Sequence, residues 1–363
     1  MTCLNEKGQV YDETKYAWLQ GRQVWTYCFL YQNHERFRRE DMKAAAIKGG
    51  EFLLNHFKDQ NSDKIYFMTS REGLPLKHQR TLFTEVFFCM AMSGLYQITK
   101  EKKYFIEATE MFQKIHQWAR FDESGLGKLP NLPKVSTLAN AFCLLSLIHE
   151  MEDIGAEDII NIEEIANWCV DDIFKHVQRN GTRILETVSV DGKELPNSAA
   201  GRVLNPGHSI ECGWFLLKEA KRIDNPELKD KAIKHFIEYP LEYGTDKEEG
   251  GLFYFLDVDG NDPIQLEWDM KLWWAHLETM IALIMAYEVT KDEKHWNAFV
   301  DIAEYSFDKF SDPVHGEWYG YLSRNGETKM NWKGGSFKGC FHLPRALSII
   351  ERILTKLIQN HEN

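Results

Sequence analysis

The 363 residues carry 44% hydrophobic and 13% aromatic side chains, enough for a packed core and inconsistent with long disordered tracts. Lys and Arg number 43 against 55 Asp and Glu, a net charge of −12 with no basic run, which excludes a nucleic-acid backbone as partner. The longest apolar stretch, 138–148, is too short to span a bilayer, which calls for roughly 20 residues.

From the amino terminus, MTCLNEKGQV lacks the basic-then-apolar pattern of a secretory leader. The seven cysteines form no CxxC pair, so neither a disulfide framework nor a zinc knuckle is expected. Both features predict a cytoplasmic protein with reduced thiols.

Apolar spacing near 3.6 residues then predicts helices at 12–32, 40–57, 80–98, 101–119, 135–152, 157–178, 208–223, 226–238, 266–288, 292–310 and 338–357. Between them lie short, glycine-marked segments whose period turns strand-like: SDKIYFMTSREG, FDESGLGKLPN, NGTRILETVSVDG, EGGLFYFLDVDG and HGEWYGYLSRNG. The second copy is degenerate. Taking Asp63, Gly125, Gly181, Gly251 and Gly316 as markers, the unit repeats every roughly 56 to 70 residues, room for two helices and a hairpin. An open stack of such pairs needs polar capping repeats. Both ends here are amphipathic and aromatic, so closure is expected: an all-α, single-domain (α/α)6 barrel over 1–363, with β-hairpins gathered on one face around a central pocket.

Two segments place a histidine at a helix entrance. In RVLNPGHSIECGWFLL, Asn205-Pro206-Gly207 cannot continue a helix, so one starts there with His208 in its first turn. In WKGGSFKGCFHLPRAL, glycines break the chain before Phe341, and Pro344 suits only a first turn, which puts His342 at the entrance. Side chains at such positions are held by ordered backbone yet face the end of a bundle, and both imidazoles read as aimed into one cleft.

Four further residues join them. Arg22 lies in WLQGRQVW, and Glu211 falls three residues after His208 on the same helix face. Glu278 is a carboxylate inside an apolar helix, where it must be paired or face a polar pocket. Arg324 follows the last hairpin. Trp268, Trp273 and Trp274 offer flat faces suited to sugar rings, although core packing explains tryptophans equally well.

Opposed imidazoles suit removal of a proton from one face of a carbon and its return to the other, because a pKa near ~6.5 lets one ring be base while the other is acid. A cation such as Arg22 would stabilise the enolate oxygen. An inverting glycosidase using Glu278 with Asp269 or Glu211 would leave both histidines without roles. A metal site of His208, Glu211 and His342 has no second short-spaced motif behind it, so no metal is expected. A protein-binding module would need an exposed face that nothing in the sequence singles out.

The blocks WLQGRQVW, GRVLNPGHSIECGWFLL, GGLFYF, LEWDMKLWWAHLETMIAL, GEWYGYLSR and KGGSFKGCFHLPRAL resemble the N-acylglucosamine 2-epimerases, also called renin-binding proteins, over about 16–352. The resemblance implies an (α/α)6 barrel that interconverts N-acetylglucosamine and N-acetylmannosamine in amino sugar metabolism leading to sialic acid. It implies a cytoplasmic homodimer, no consumed cofactor, and ATP as an allosteric activator, although no phosphate loop GxxxxGK[ST] occurs. By motif, His208 and His342 look like the acid/base pair and Arg22 and Glu278 like their essential partners. Glu211, Trp273 and Arg324 would bind the amino sugar, and Cys340 would pack beside His342. Relatives acting on cellobiose-type disaccharides carry a histidine in the helix where this chain has Cys143, which favours the monosaccharide branch.

Overall fold

Short pairs of backbone strands fix where the long helices begin. In the computed structural model, which describes residues 3–128 and 134–362, Lys15–Tyr16 pairs antiparallel with Met68–Thr69 and leads directly into helix α1 (Ala17–Asn33). The remaining helices are α2 (Glu40–His56), α3 (Phe83–Thr99), α4 (Lys102–Arg120), α5 (Leu138–Asp153), α6 (Ile162–Phe174), α7 (Pro206–Arg222), α8 (Pro226–Lys231), α9 (Tyr239–Gly244), α10 (Trp273–Thr290), α11 (Glu293–Phe310) and α12 (His342–Glu362). Among the described residues, no helix is long and apolar enough to cross a membrane.

Each helix expected from periodicity is present, with ends that shift by up to seven residues; three of these shifts have a visible cause. The first five residues of 12–32 are not helical, because Lys15–Tyr16 is held as strand. The stretch 266–288 becomes helical only at Trp273, because Lys271–Leu272 pairs with Tyr321–Leu322 some fifty residues away. The stretch 226–238 runs on to Gly244 through a π-turn at Ala232–Glu238, with the Tyr239 N–H donating to the Lys234 carbonyl. Pro240 has no N–H to give Phe236, so the ladder widens by one residue instead of breaking. Of the degenerate segment FDESGLGKLPN, Glu123–Leu126 forms a single 3-10 turn, and 129–131 lie outside the described residues.

The chain divides into two compact units whose segments alternate along the sequence: 1–133, 143–169 and 332–345 make one, and 134–142, 170–331 and 346–363 the other. In the first, α3 is buried on nearly every face from Thr84 to Leu95, whereas α4 buries the stripe Tyr104, Ala108, Thr109, Met111, Phe112, Ile115 and Trp118. A helix apolar all round must lie inside, and one with a single stripe covers it. Helix α1 packs against α3 at Gly21, where an added Cβ would overlap the Phe87 backbone.

The second unit repeats the scheme. Helix α10 is buried almost continuously from Trp273 to Ile284, and α11 covers it with His295, Phe299, Ile302, Ser306 and Phe310. Strands again precede the helices: Val135–Thr137 pairs with Thr187–Ser189 before α5, Val203–Leu204 with Leu256–Asp257 before α7, and Lys271–Leu272 with Tyr321–Leu322 before α10. These ladders are minimal, two or three residues a strand, yet they bring each hairpin to the start of a helix.

Two buried polar groups lock the hairpins of this unit. Asp246 binds the buried Lys271 ammonium at 2.9 Å and the Arg324 guanidinium at 2.7 Å. Burial would raise the Asp246 carboxyl, but those cations and the Glu248 and Glu249 N–H groups hold it well below the usual carboxylate range. His276 accepts the Leu252 N–H at Nε2 (3.1 Å) and gives its Nδ1 proton to the Leu272 carbonyl (2.7 Å). Burial pushes this ring down from 6.5 to about 4.

A depressed histidine stabilises the fold fully above its unfolded pKa and loses that contribution as pH falls toward the folded value. Stability is therefore expected to drop by roughly 3 kcal/mol between about pH 6.5 and about pH 4 from this residue alone. Urea unfolding of wild type and His276→Gln across that window checks it: the variant, weaker at neutral pH, should show a flatter decline. Parallel declines would refute the assignment.

Candidate functional site

The start of α7 is built by its cap. The Asn205 side-chain oxygen accepts the His208 N–H at 3.1 Å, and Pro206 occupies the first turn where its missing donor costs nothing. His208 thereby sits in the first turn, as its sequence context predicts. Its Nδ1 lies 2.9 Å from Glu186 Oε2, and its ring meets Phe142 edge-on (5.6 Å) and Trp274 at a tilt (5.1 Å). The side chain keeps 30% exposure. Burial disfavours the charged ring, but the Glu186 carboxylate, by charge and hydrogen bond, and Glu211 outweigh it and raise His208 above 6.5.

One turn further along α7, Glu211 is buried, and Glu278 projects from α10 with no exposure at all. Carboxylate oxygens of the two lie within 4.8 Å of one another. Trp214, three residues beyond Glu211, donates its Nε1 proton to Glu278 Oε2 at 2.9 Å. The structure thus gathers Glu211 and Glu278 as one buried acidic pair, where the sequence offered two separate carboxylates.

Trp273 opens α10 with its ring buried edge-on against Tyr321 at 5.3 Å. Its neighbour Trp274 is the one that touches His208, and Tyr254 meets Trp274 edge-on at 6.1 Å. Arg324 is engaged with Asp246 and Glu248, and its guanidinium stands 5.4 Å from the Phe253 ring. It ties the last hairpin to the one before.

In the other unit, one face of α1 organises the segment that precedes His342. The Trp18 indole donates to the Ser336 carbonyl at 3.0 Å and the Thr26 hydroxyl to the Cys340 carbonyl at 2.9 Å. Residues 18, 22 and 26 are one turn apart, so Arg22 stands between these two anchors. Its guanidinium lies 4.0 Å from the Phe87 ring centre and 5.3 Å from that of Phe341, an aromatic seat that holds a cation while leaving its donors for other partners.

His342 is the first residue of α12 and is 9% exposed. Arg345, one turn on, approaches its Nδ1 at 3.5 Å, and Phe341 packs edge-on at 5.0 Å. Cys340 is exposed, and all seven cysteines are free thiols.

Each half presents a histidine at a helix entrance with charged groups about it. The family model described as N-acylglucosamine 2-epimerase matches residues 1–346 of this chain. The chain is 48% identical to N-acylglucosamine 2-epimerase of Mus musculus over 364 residues, covering 99% of this chain and 87% of the relative. For the Homo sapiens enzyme of that name the identity is 46%, with 98% and 84% covered. The chain belongs to the N-acylglucosamine 2-epimerase family.

Solved structures agree on the architecture. A D-mannose isomerase superposes with a TM-score of 0.81 at 18% identity over 98% of this chain and 91% of its own. Cellobiose 2-epimerase from Bacillus thermoamylovorans gives 0.81 at 19%, covering 97% and 92%. The fold is the (α/α)6 barrel expected from the repeat of helix pairs and hairpins.

Three neighbours within this family member's candidate site carried no sequence signal strong enough to single them out. Trp214 and Arg345 read as ordinary helical positions. Glu186 had a faint one, a carboxylate in the hairpin between buried Leu185 and buried Val188.

Proposed function

We propose that this isomerase interconverts N-acetylglucosamine and N-acetylmannosamine by inverting C2. The reading is carried by identity at nearly half of all positions, along almost the whole chain, with N-acylglucosamine 2-epimerases. Ring opening places C2 beside an aldehyde and acidifies its proton. One histidine of the pair His208 and His342 takes that proton as a neutral base, and the electron pair passes into an enolate on O1. The other, as imidazolium, delivers a proton from the opposite face, so the epimer forms with no net change in protons. Arg22 stabilises the enolate oxygen, and Glu278 and Glu211 hold sugar hydroxyls. Trp273 and Arg324 bear on the sugar through the hairpins they anchor.

The chemistry consumes no cofactor. In this reading the enzyme works as a cytoplasmic homodimer with ATP as an allosteric activator, in agreement with the family resemblance. The test is solvent exchange: either epimer incubated with the enzyme in heavy water should acquire deuterium at C2 while the other epimer appears. A protein that binds amino sugars without exchanging C2 hydrogen would overturn the proposal.

A further inference from the structure

The hairpins of this fold repeat one register. Isolated or paired bridges join Lys58 to Ile65, Val177 to Ile184, Thr245 to Leu252 and Ser311 to Trp318, each closing a loop of the same length. Two residues past the second member of each bridge stand Phe67, Glu186, Tyr254 and Gly320. The backbone does the same work at three of them: the carbonyls of Phe67, Glu186 and Gly320 accept the first N–H of α1, α5 and α10 respectively. Side chains there range from none to aromatic, so the fold does not require a carboxylate. Only one copy carries a charge.

What that carboxylate does is visible in its contacts. The Glu186 backbone is pinned on both sides, its carbonyl by Leu138 and its N–H by Val203, at 3.0 Å each. Its side chain is 17% exposed and places Oε2 2.9 Å from His208 Nδ1. Oε1 is buried and makes no hydrogen bond. A carboxylate kept under-satisfied at one oxygen is costly, and among the described residues the hydrogen bond its side chain makes is to the His208 ring.

We infer that Glu186 is a positioning residue for His208, fixing the proton on Nδ1, directing Nε2 to the reacting sugar and setting a negative charge behind the ring. The proposal rests on the reading of His208 as an acid/base group. The surroundings favour the charged ring: Glu186 from the hairpin and Glu211 from α7 face it as carboxylates, while α5 and α10 present the uncharged rings of Phe142 and Trp274. His208 then keeps its proton to higher pH than a free imidazole, and catalysis that needs this acid fails as pH rises through its pKa. Glu186 extends the working range upward.

Glu186→Gln tests this, because the amide keeps the shape and can still accept the Nδ1 proton while losing the charge. The kcat should fall about tenfold to a hundredfold with KM changed far less, and the alkaline limb of kcat/KM should move to lower pH. Glu186→Asp should restore part of the limb. In ligand-free protein labelled at histidine Cε1, the His208 titration midpoint, assigned by its absence in His208→Ala, should move down in Glu186→Gln. An unmoved midpoint and limb, with lost thermal stability alone, would overturn the proposal and leave Glu186 a structural residue. The titration is read without substrate, so absence of C2 exchange in wild type would refute the epimerase reading, whereas an unmoved midpoint refutes the hold of Glu186 on His208, and the two failures are distinguishable.

Discussion

Alanine at His342 is expected to lower epimerisation by about 10²–10⁴-fold in both directions, the range over which one positioned acid or base acts. In the proposed mechanism each histidine serves one face of C2, so removing one should leave the other able to exchange the C2 hydrogen of a single epimer. His342→Ala should therefore still wash deuterium into one amino sugar at a measurable rate while failing to convert it. His208→Ala should show the opposite preference, and the pair of variants assigns a face to each ring. Exchange into both epimers from a single variant, with the other variant unimpaired, would indicate one base working both faces and would refute the two-histidine mechanism.

The second large effect is expected at Glu278. This carboxylate lies in α10 among residues buried on every face, and it accepts the Trp214 indole proton. Alanine there strands a buried N–H, which costs roughly 1–3 kcal/mol, and removes a charge that the proposed site uses. Glutamine keeps an acceptor for Trp214. If Glu278 works as a charge, Glu278→Gln should fold with a near-native melting temperature yet lose about a hundredfold or more in kcat/KM, comparable to loss of an electrostatic stabiliser. Full activity in the glutamine variant, with destabilisation only in the alanine variant, would reduce Glu278 to a packing partner of Trp214.

The helices were legible because burial imposes local periodicity. In α4 and α11 the apolar residues fall three and four apart on one stripe, a pattern readable within the segment itself. The cap at α7 was equally local, since Asn205, Pro206 and His208 are near neighbours in sequence. The start of α10 was not. Nothing between 266 and 272 forbids a helix strongly enough, and its true beginning is set by pairing of Lys271–Leu272 with Tyr321–Leu322.

Within the site, the same divide recurs residue by residue. Successive positions on a helix point about 100° apart, and of the two tryptophans at the start of α10 the motif names Trp273 as the ring that meets the sugar. The structure puts Trp274 against His208 and turns Trp273 onto Tyr321. By motif Arg324 is expected to bind the amino sugar, and its bidentate hold on Asp246, 78 residues away, could not be seen from its own neighbourhood.

The sequence alone determined that this is a ring of helix pairs with hairpins at their ends, that His208 and His342 open helices, and that Glu278 is a carboxylate in an apolar helix. Those are properties of dihedral preference, burial period and unsatisfied charge, all expressed over a few residues. Only the tertiary structure decided that Glu186 stands behind His208, that Glu211 and Glu278 share one buried acidic pocket with Trp214, and that Arg22 is seated on Phe87. Such contacts join residues 22 to 67 positions apart, and their geometry comes from how elements pack, which no local pattern encodes.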